Sequence, residues 1–328
     1  MHNSEPWLAP NDTDLPDFII AGAMKSGTTT LHAILNQHPD VYMPEKELHF
    51  FDMDNLIQHP EFNTFDKQFW HCQNLNNEPE VYWQWYKQQF SGASNNQLIG
   101  EDSTTYINSE LALQRLSKQN KKIKLIIMLR QPTARTYSHY WHMVKAGRAM
   151  FSFEDMLQYQ PQLLLERSAY VKQLKVLFSY FAEEQVKVVL FEDFLTNKVK
   201  VLDEICQFLN IDVEKLPKSA LELHQNKARI PKYIKLHLLK TRLFRSNNDN
   251  NYINYFSSTE KEDNNKQVYS PHFFGRLANK VYSTINPLIE KQPARIHPST
   301  KVFLDGYFLE EMKEINELLK QDILAKWF

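Results

Sequence analysis

Residues 18–31 read Phe18-Ile19-Ile20-Ala21-Gly22-Ala23-Met24-Lys25-Ser26-Gly27-Thr28-Thr29-Thr30-Leu31. Four apolar residues end at a glycine, which is the pattern of a short buried strand. Leu31, Ile34 and Leu35 then recur at helical spacing over Thr28–Asn36. A tight turn between strand and helix aims backbone N–H groups and the helix dipole at one point, which makes an anion site. Lys25 adds a positive charge there, and the hydroxyls of Ser26, Thr28, Thr29 and Thr30 add donors. The chain holds only 7 glycines in 328 residues, and Gly22 and Gly27 bracket this turn.

The grammar is not that of an NTPase loop. There the lysine follows the second glycine and the next hydroxyl holds magnesium. Here Lys25 precedes Gly27 by two positions, and the next long apolar run, Ile123–Leu129, ends in Arg130 rather than in an acid. A P-loop kinase or NTPase is therefore an alternative that the lysine placement opposes. After Arg130 come Pro132, Arg135 and Ser138, spaced so that an arginine at a strand end and a serine on the following helix serve one phosphate. Arginine suits that task because its planar fork binds phosphate with two hydrogen bonds.

Outward from these two segments, strand-like and helix-like stretches alternate. Leu48–Phe51, Leu98–Gly100, Ile123–Leu129 and Val186–Phe191 read as strands. Pro132–Lys145, Ala169–Phe181, Leu195–Leu209 and Phe308–Leu319 read as helices. Such alternation indicates an α/β fold, a parallel sheet covered on both faces. Residues 1–328 are expected to form a single domain, and the polar stretch 246–267 an insertion in it. Tyr82-Trp83-Gln84-Trp85-Tyr86 is read as core.

Composition narrows the function. With 38 Lys plus Arg against 39 Asp plus Glu the net charge is -1, which argues against a nucleic-acid binder. Cys72 and Cys206 form neither a disulfide framework nor a zinc spacing, so no metal is expected. Without a signal-peptide pattern or an apolar run of about 20 residues, the expectation is a cytoplasmic protein with no transmembrane segment. The stretch 227–245 carries Lys227, Arg229, Lys232, Lys235, Lys240, Arg242 and Arg245 among leucines. It reads as a solvated basic face, or as a contact for a membrane surface, an acidic acceptor or the nucleotide.

The string KSGTTTL after a strand resembles the 5′-phosphosulfate loop of sulfotransferases that use 3′-phosphoadenosine 5′-phosphosulfate (PAPS), and Arg130 through Ser138 resembles their 3′-phosphate motif. Glu47-Leu48-His49-Phe50-Phe51-Asp52 resembles the E-x-H-F-F-D stretch of heparan sulfate-type carbohydrate sulfotransferases. The likeness covers residues 17 to about 210. It implies a three-layer fold of P-loop type with about five parallel strands. It implies PAPS as sulfuryl donor, transfer in line without a metal, and 3′-phosphoadenosine 5′-phosphate as product.

The resemblance also assigns roles. Lys25, Ser26, Gly27, Thr28, Thr29 and Thr30 take the 5′-phosphosulfate, with Lys25 offsetting charge on the leaving oxygen. Arg130 and Ser138 take the 3′-phosphate. Tyr170, in Arg167-Ser168-Ala169-Tyr170, falls near the nucleotide, and Arg295 belongs to a basic loop closing over it. Glu47 maps to the general base, with His49 and Asp52 beside it. The alternative is sulfation of a small-molecule or lipid hydroxyl with His49 as base. Glu101, Asp102 and Tyr106 are expected to line the acceptor cleft. Here the chain departs from the heparan type, whose E-K-[ST]-P-x-Y segment puts a lysine where Asp102 stands. An acid beside a polyanionic sugar is repulsive. The acceptor is therefore expected to be a less charged glycan, a glycolipid or a small hydroxyl or amine compound.

Overall fold

The computed structural model describes residues 6–11, 15–65, 68–72, 75–223, 229–243 and 280–328. The polar stretch 246–267 and residues Lys227 and Arg245 lie outside them. The chain divides into two compact units. The first comprises residues 1–131, 169–225 and 309–328; the second comprises 132–168 and 226–308.

The first unit carries the sheet. Its strands are β1 (Phe18–Gly22), β2 (Val41–Tyr42), β3 (Leu98–Asp102), β4 (Lys124–Leu129) and β5 (Val186–Leu190). They pair in the order β2-β3-β1-β4-β5, all parallel. All five residues of β1 are buried, and so is β4 from Leu125 onward. A parallel strand covered on both faces reads as an unbroken apolar run, which is why these two were visible in the sequence. Helices α1 (Thr28–Leu35), α2 (Pro79–Gln88), α3 (Glu110–Ser117), α5 (Tyr170–Tyr180) and α6 (Lys198–Leu209) belong to this unit. Phe18, Ile20, Leu31, Ile34, Ile126, Met128, Leu202 and Ile205 share one apolar cluster between the sheet, α1 and α6.

The second unit begins with α4 (Pro132–Lys145), whose bounds match the expectation. Its buried Arg135 binds Ser168 Oγ at 2.5 Å and the Leu164 carbonyl at 3.0 Å. The second arginine of the Arg130–Ser138 motif is thus a packing residue. Within the described part of the basic stretch, Arg229–Pro231 is a strand and Ile234–Leu243 forms α7.

Three expectations are corrected in detail. Leu48–Phe51 is not a strand: His49 adopts a left-handed conformation (φ 52°) and Phe50–Asp52 is a 3-10 turn. The left-handed backbone at His49 interrupts the extended run, and the turn buries both phenylalanines. Leu195–Leu209 is two helices, Phe191–Thr196 and α6, broken at Asn197. Phe308–Leu319 likewise splits into Pro298–Glu311 and Ile315–Leu319. The aromatic run 82–86 packs inward, with Trp83, Trp85 and Tyr86 buried.

Strand order reverses about β1, which has β3 on one side and β4 on the other. Ligands bind parallel sheets at the carboxyl ends of strands beside such a switch point. Here those ends are Gly22, Asp102 and Leu129. The close approach of β3 to β1 depends on Gly100. A Cβ there would lie 2.4 Å from Phe18 Cζ and 2.9 Å from Met43 Cγ. Gly100→Ala is therefore expected to cost about 1–3 kcal/mol through overpacking, read as a lower urea midpoint with an unchanged slope.

Candidate active site

The turn from β1 to α1 is held at both ends. Ala23 N donates to the Met128 carbonyl at 2.8 Å, and Ser26 N to the Ala23 carbonyl at 3.2 Å. Gly27 stands at the N-cap with φ 93°, and no side chain caps the helix. A Cβ at Gly27 would sit 2.7 Å from the ring of Phe191, so this turn admits only glycine. Lys25 is also left-handed (φ 70°). Ser26 is wholly buried, and its Oγ makes no hydrogen bond within the protein. Thr28 and Thr30 are buried and Thr29 is exposed.

Arg130 leaves the end of β4 towards this turn. Its Nη1 donates to the Lys25 carbonyl at 3.2 Å, and its guanidinium lies 4.9 Å from the Phe191 ring centroid. Burial lowers its pKa, an effect opposed by Tyr170 and Glu192. Tyr170 is buried, and its hydroxyl donates to the Arg130 carbonyl at 2.9 Å. The Tyr170 ring also lies 5.9 Å from that of Trp327, whose Nε1 donates to Glu192 Oε2 at 3.1 Å. Tyr170, expected near the nucleotide, thus braces the arginine. Ser138 is half-buried on α4 and Arg295 is exposed, both in the second unit. Within that unit the Tyr137 hydroxyl ties α4 to the Arg295 loop by donating to the Ala294 carbonyl at 2.7 Å.

Glu47 and His49 do meet, though not by strand alternation. The left-handed turn at His49 brings its Nε2 to 3.3 Å from Glu47 Oε2. Thr104 Oγ1 donates to Glu47 Oε2 at 3.0 Å. His49 N donates to Ser103 Oγ at 2.9 Å, and His49 Nδ1 lies 3.1 Å from Thr105 Oγ1. The side chain of Glu47 stays 37% exposed while that of His49 is 12% exposed. Enclosure raises the Glu47 pKa above the ordinary glutamate range, and the nearby Asp102 raises it further.

Glu101, Asp102 and Tyr106 are buried. Asp102 Oδ2 lies 3.3 Å from Nδ1 of His32 on α1. Burial raises its pKa, and the contact with His32 opposes the rise. Glu101 accepts from Ser103 at 2.6 Å, from Tyr106 at 2.7 Å and from Tyr86. Tyr106 also receives the Phe51 N–H at 3.1 Å. The segment 101–106 thus forms the wall behind Glu47 and His49.

Asp52 is fully buried against His59, with Oδ1 2.8 Å from His59 Nε2. His59 Nε2 also lies 3.3 Å from Thr105 Oγ1. One ligand atom each from His49, Asp52 and His59 fall within 4.8 Å of one another. Sequence reasoning missed His59, His32 and the hydroxyl triplet Ser103-Thr104-Thr105. The triplet had a signal, three consecutive hydroxyls after a strand. The histidines had none: Asp102 lies 70 residues from His32, and Asp52 and His59 stand seven residues apart with no periodic pattern between them.

Comparisons with known proteins bear on the family and the fold. The sulfotransferase family model matches residues 16–215. A human heparan sulfate glucosamine 3-O-sulfotransferase 5 is 29% identical over 209 residues, 60% of this chain and 54% of that protein. A human bifunctional heparan sulfate N-deacetylase/N-sulfotransferase 3 is 27% identical over 222 residues, 62% of this chain and 23% of that one. The match therefore spans about half or less of these two relatives. A sulfotransferase structure from Alicyclobacillus acidocaldarius shares the fold at a TM-score of 0.59 and 23% identity, covering 95% of this chain and 98% of that one. Among the described residues no helix is long and apolar enough to cross a membrane.

The Glu101 network sets a pH dependence of stability. Burial raises its pKa from 4.5 to about 7 against the opposing pull of three hydroxyl donors. The fold thus favours the neutral carboxyl. Its contribution is complete below about 4.5 and is lost as the pH rises through about 7. Glu101→Gln should flatten thermal stability against pH across that window, measured by calorimetric melting. An unchanged profile contradicts the assignment.

Proposed function

The chain belongs to the sulfotransferase family, and from that premise we propose that it transfers a sulfuryl group from PAPS to a hydroxyl or amine of a weakly charged glycan or glycolipid. The observation that carries this reading is the convergence of Lys25, Arg130 and the Glu47–His49 pair on the carboxyl ends of β1, β3 and β4.

The phosphate turn fits such a donor. Ser26 holds a buried hydroxyl without a protein partner, and the uncapped N-terminus of α1 adds backbone donors. When bound, PAPS supplies the sulfuryl group and the leaving phosphate. The 5′-phosphosulfate falls to Lys25, Ser26, Gly27, Thr28, Thr29 and Thr30. The 3′-phosphate falls to Arg130; Ser138 and Arg295 keep the nucleotide roles that the family resemblance implies for them. Lys25 offsets the negative charge that develops on the leaving oxygen. Contacts with Lys25, Phe191 and Tyr170 brace Arg130 at both ends, which supports its assignment to the 3′-phosphate.

Glu47 takes the acceptor proton. Its raised pKa makes it a stronger base than an ordinary glutamate, and Thr104 orients the oxygen that faces His49. His49 steadies Glu47 and is the base in the second reading, in which the acceptor is a small-molecule or lipid hydroxyl. The greater exposure of Glu47 favours the first. Asp102 and Glu101 act from behind the base, and Tyr106 holds the 50–52 turn. A buried acid where the heparan type carries a lysine supports an acceptor without dense sulfation.

Calorimetry with 3′-phosphoadenosine 5′-phosphate and with adenosine diphosphate tests the donor site. The first should bind more tightly, and Arg130→Ala should weaken it about tenfold to a hundredfold, the worth of one or two charge-assisted hydrogen bonds. Equal affinity for both nucleotides contradicts the reading. Glu47→Gln should abolish transfer while nucleotide binding persists. In the pH profile of kcat/KM, activity should rise through the raised Glu47 pKa, so the acid limb lies above the ordinary glutamate value of about 4.3. Asp102→Asn removes a charge that raises that pKa, so the limb should move to lower pH.

A further inference from the structure

We propose that His49, Asp52 and His59 form a binding site for a divalent transition metal of the zinc class, and that its occupation restrains the base. The binding part rests on geometry alone; the restraint rests on the reading of Glu47 above.

Two imidazoles and a carboxylate suit zinc and its first-row neighbours, whereas calcium and magnesium prefer oxygen ligands throughout. Ligands about 2.0–2.1 Å from a tetrahedral ion stand roughly 3.3 Å from one another. Of the proposed ligands, His59 Nε2 and Asp52 Oδ1 stand 2.8 Å apart, and His49 Nδ1 and His59 Nε2 lie against the same hydroxyl, Thr105 Oγ1, at 3.1 and 3.3 Å. One ligand atom from each of the three residues lies within 4.8 Å of the others. Small side-chain rotations close that gap.

Two further observations point to a cation. Asp52 is fully buried, and its Oδ2 makes no hydrogen bond. A buried carboxylate oxygen left so carries a desolvation cost that a metal ion removes. His49 is also arranged as metal-bound histidines are. With Nδ1 turned to the cluster, Nε2 faces the Glu47 carboxylate at 3.3 Å, the outer contact that fixes the tautomer of such a ligand. Asp52 and His59 are buried, so an ion enters past the more exposed Glu47 and His49.

Binding replaces the hydrogen bond between His59 Nε2 and Asp52 Oδ1 with bonds from each to the ion. The ion then holds His49 with its Nε2–H on Glu47 Oε2. That bond occupies a lone pair the base needs for its acceptor, and transfer slows. The site is therefore regulatory and is no requirement of the reaction.

The test uses the full chain stripped with a chelator, in the absence of nucleotide. Titration with Zn²⁺ by calorimetry should reveal one tight site, and Co²⁺ should give the intense visible bands of a tetrahedral centre. Asp52→Asn and His59→Gln should each weaken zinc at least tenfold and remove those bands. Glutamine keeps a hydrogen-bonding group beside Asp52, and circular dichroism checks that both variants fold. Unaltered zinc affinity in both folded variants, or a flat titration of the parent, overturns the proposal. In the transfer assay zinc should inhibit the parent and a chelator should restore it; failure to inhibit overturns the restraint. Normal binding of 3′-phosphoadenosine 5′-phosphate with a flat zinc titration sinks this site alone. Zinc binding in a chain that does not bind that nucleotide sinks the donor assignment alone.

Discussion

A single buried carboxyl organises the segment that carries Glu47 and His49. Glu101, near the end of a central strand, accepts from Ser103, Tyr106 and Tyr86, which come from two different elements. Ser103 in turn receives the amide of His49, and Tyr106 receives that of Phe51. The irregular segment carrying Glu47 and His49 has no ladder of its own. It is fastened to the sheet through side chains instead. A buried acid without such partners would be strongly unfavourable, so the network and the loop conformation stand or fall together.

The donor side is built differently. There the backbone makes the site, and side chains brace it. Phe191 fills the space beside Gly27 and supports the guanidinium of Arg130, while Tyr170 holds the arginine's own carbonyl. The turn after β1 and the segment fastened to the end of β3 both lie at the carboxyl ends of strands where the strand order reverses.

Much of this was legible in the sequence because it is local. The runs 18–22 and 124–129 are buried on both faces, so apolar continuity marked them, and Pro132 marked the start of α4. The phosphate turn and Glu47 carried motifs. What escaped was non-local. His59 joins Asp52 across the turns that follow it, His32 reaches Asp102 from a helix, and Glu101 is enclosed by three hydroxyls. Periodicity does not register such pairings. It also misled at 48–51, where aromatic residues imitate a strand although their burial comes from a turn.

The contact of Trp327 with Tyr170 and Glu192 has a consequence for biosynthesis. Tyr170 braces Arg130, and Glu192 receives both the Trp327 indole and the Gln131 amide. The wall behind the arginine is thus completed by one of the last residues described. On the ribosome the sheet can assemble well before that tryptophan emerges. The closing of the wall behind Arg130 is therefore among the later contacts the chain can make, after the strands of its parallel sheet are complete at Leu190.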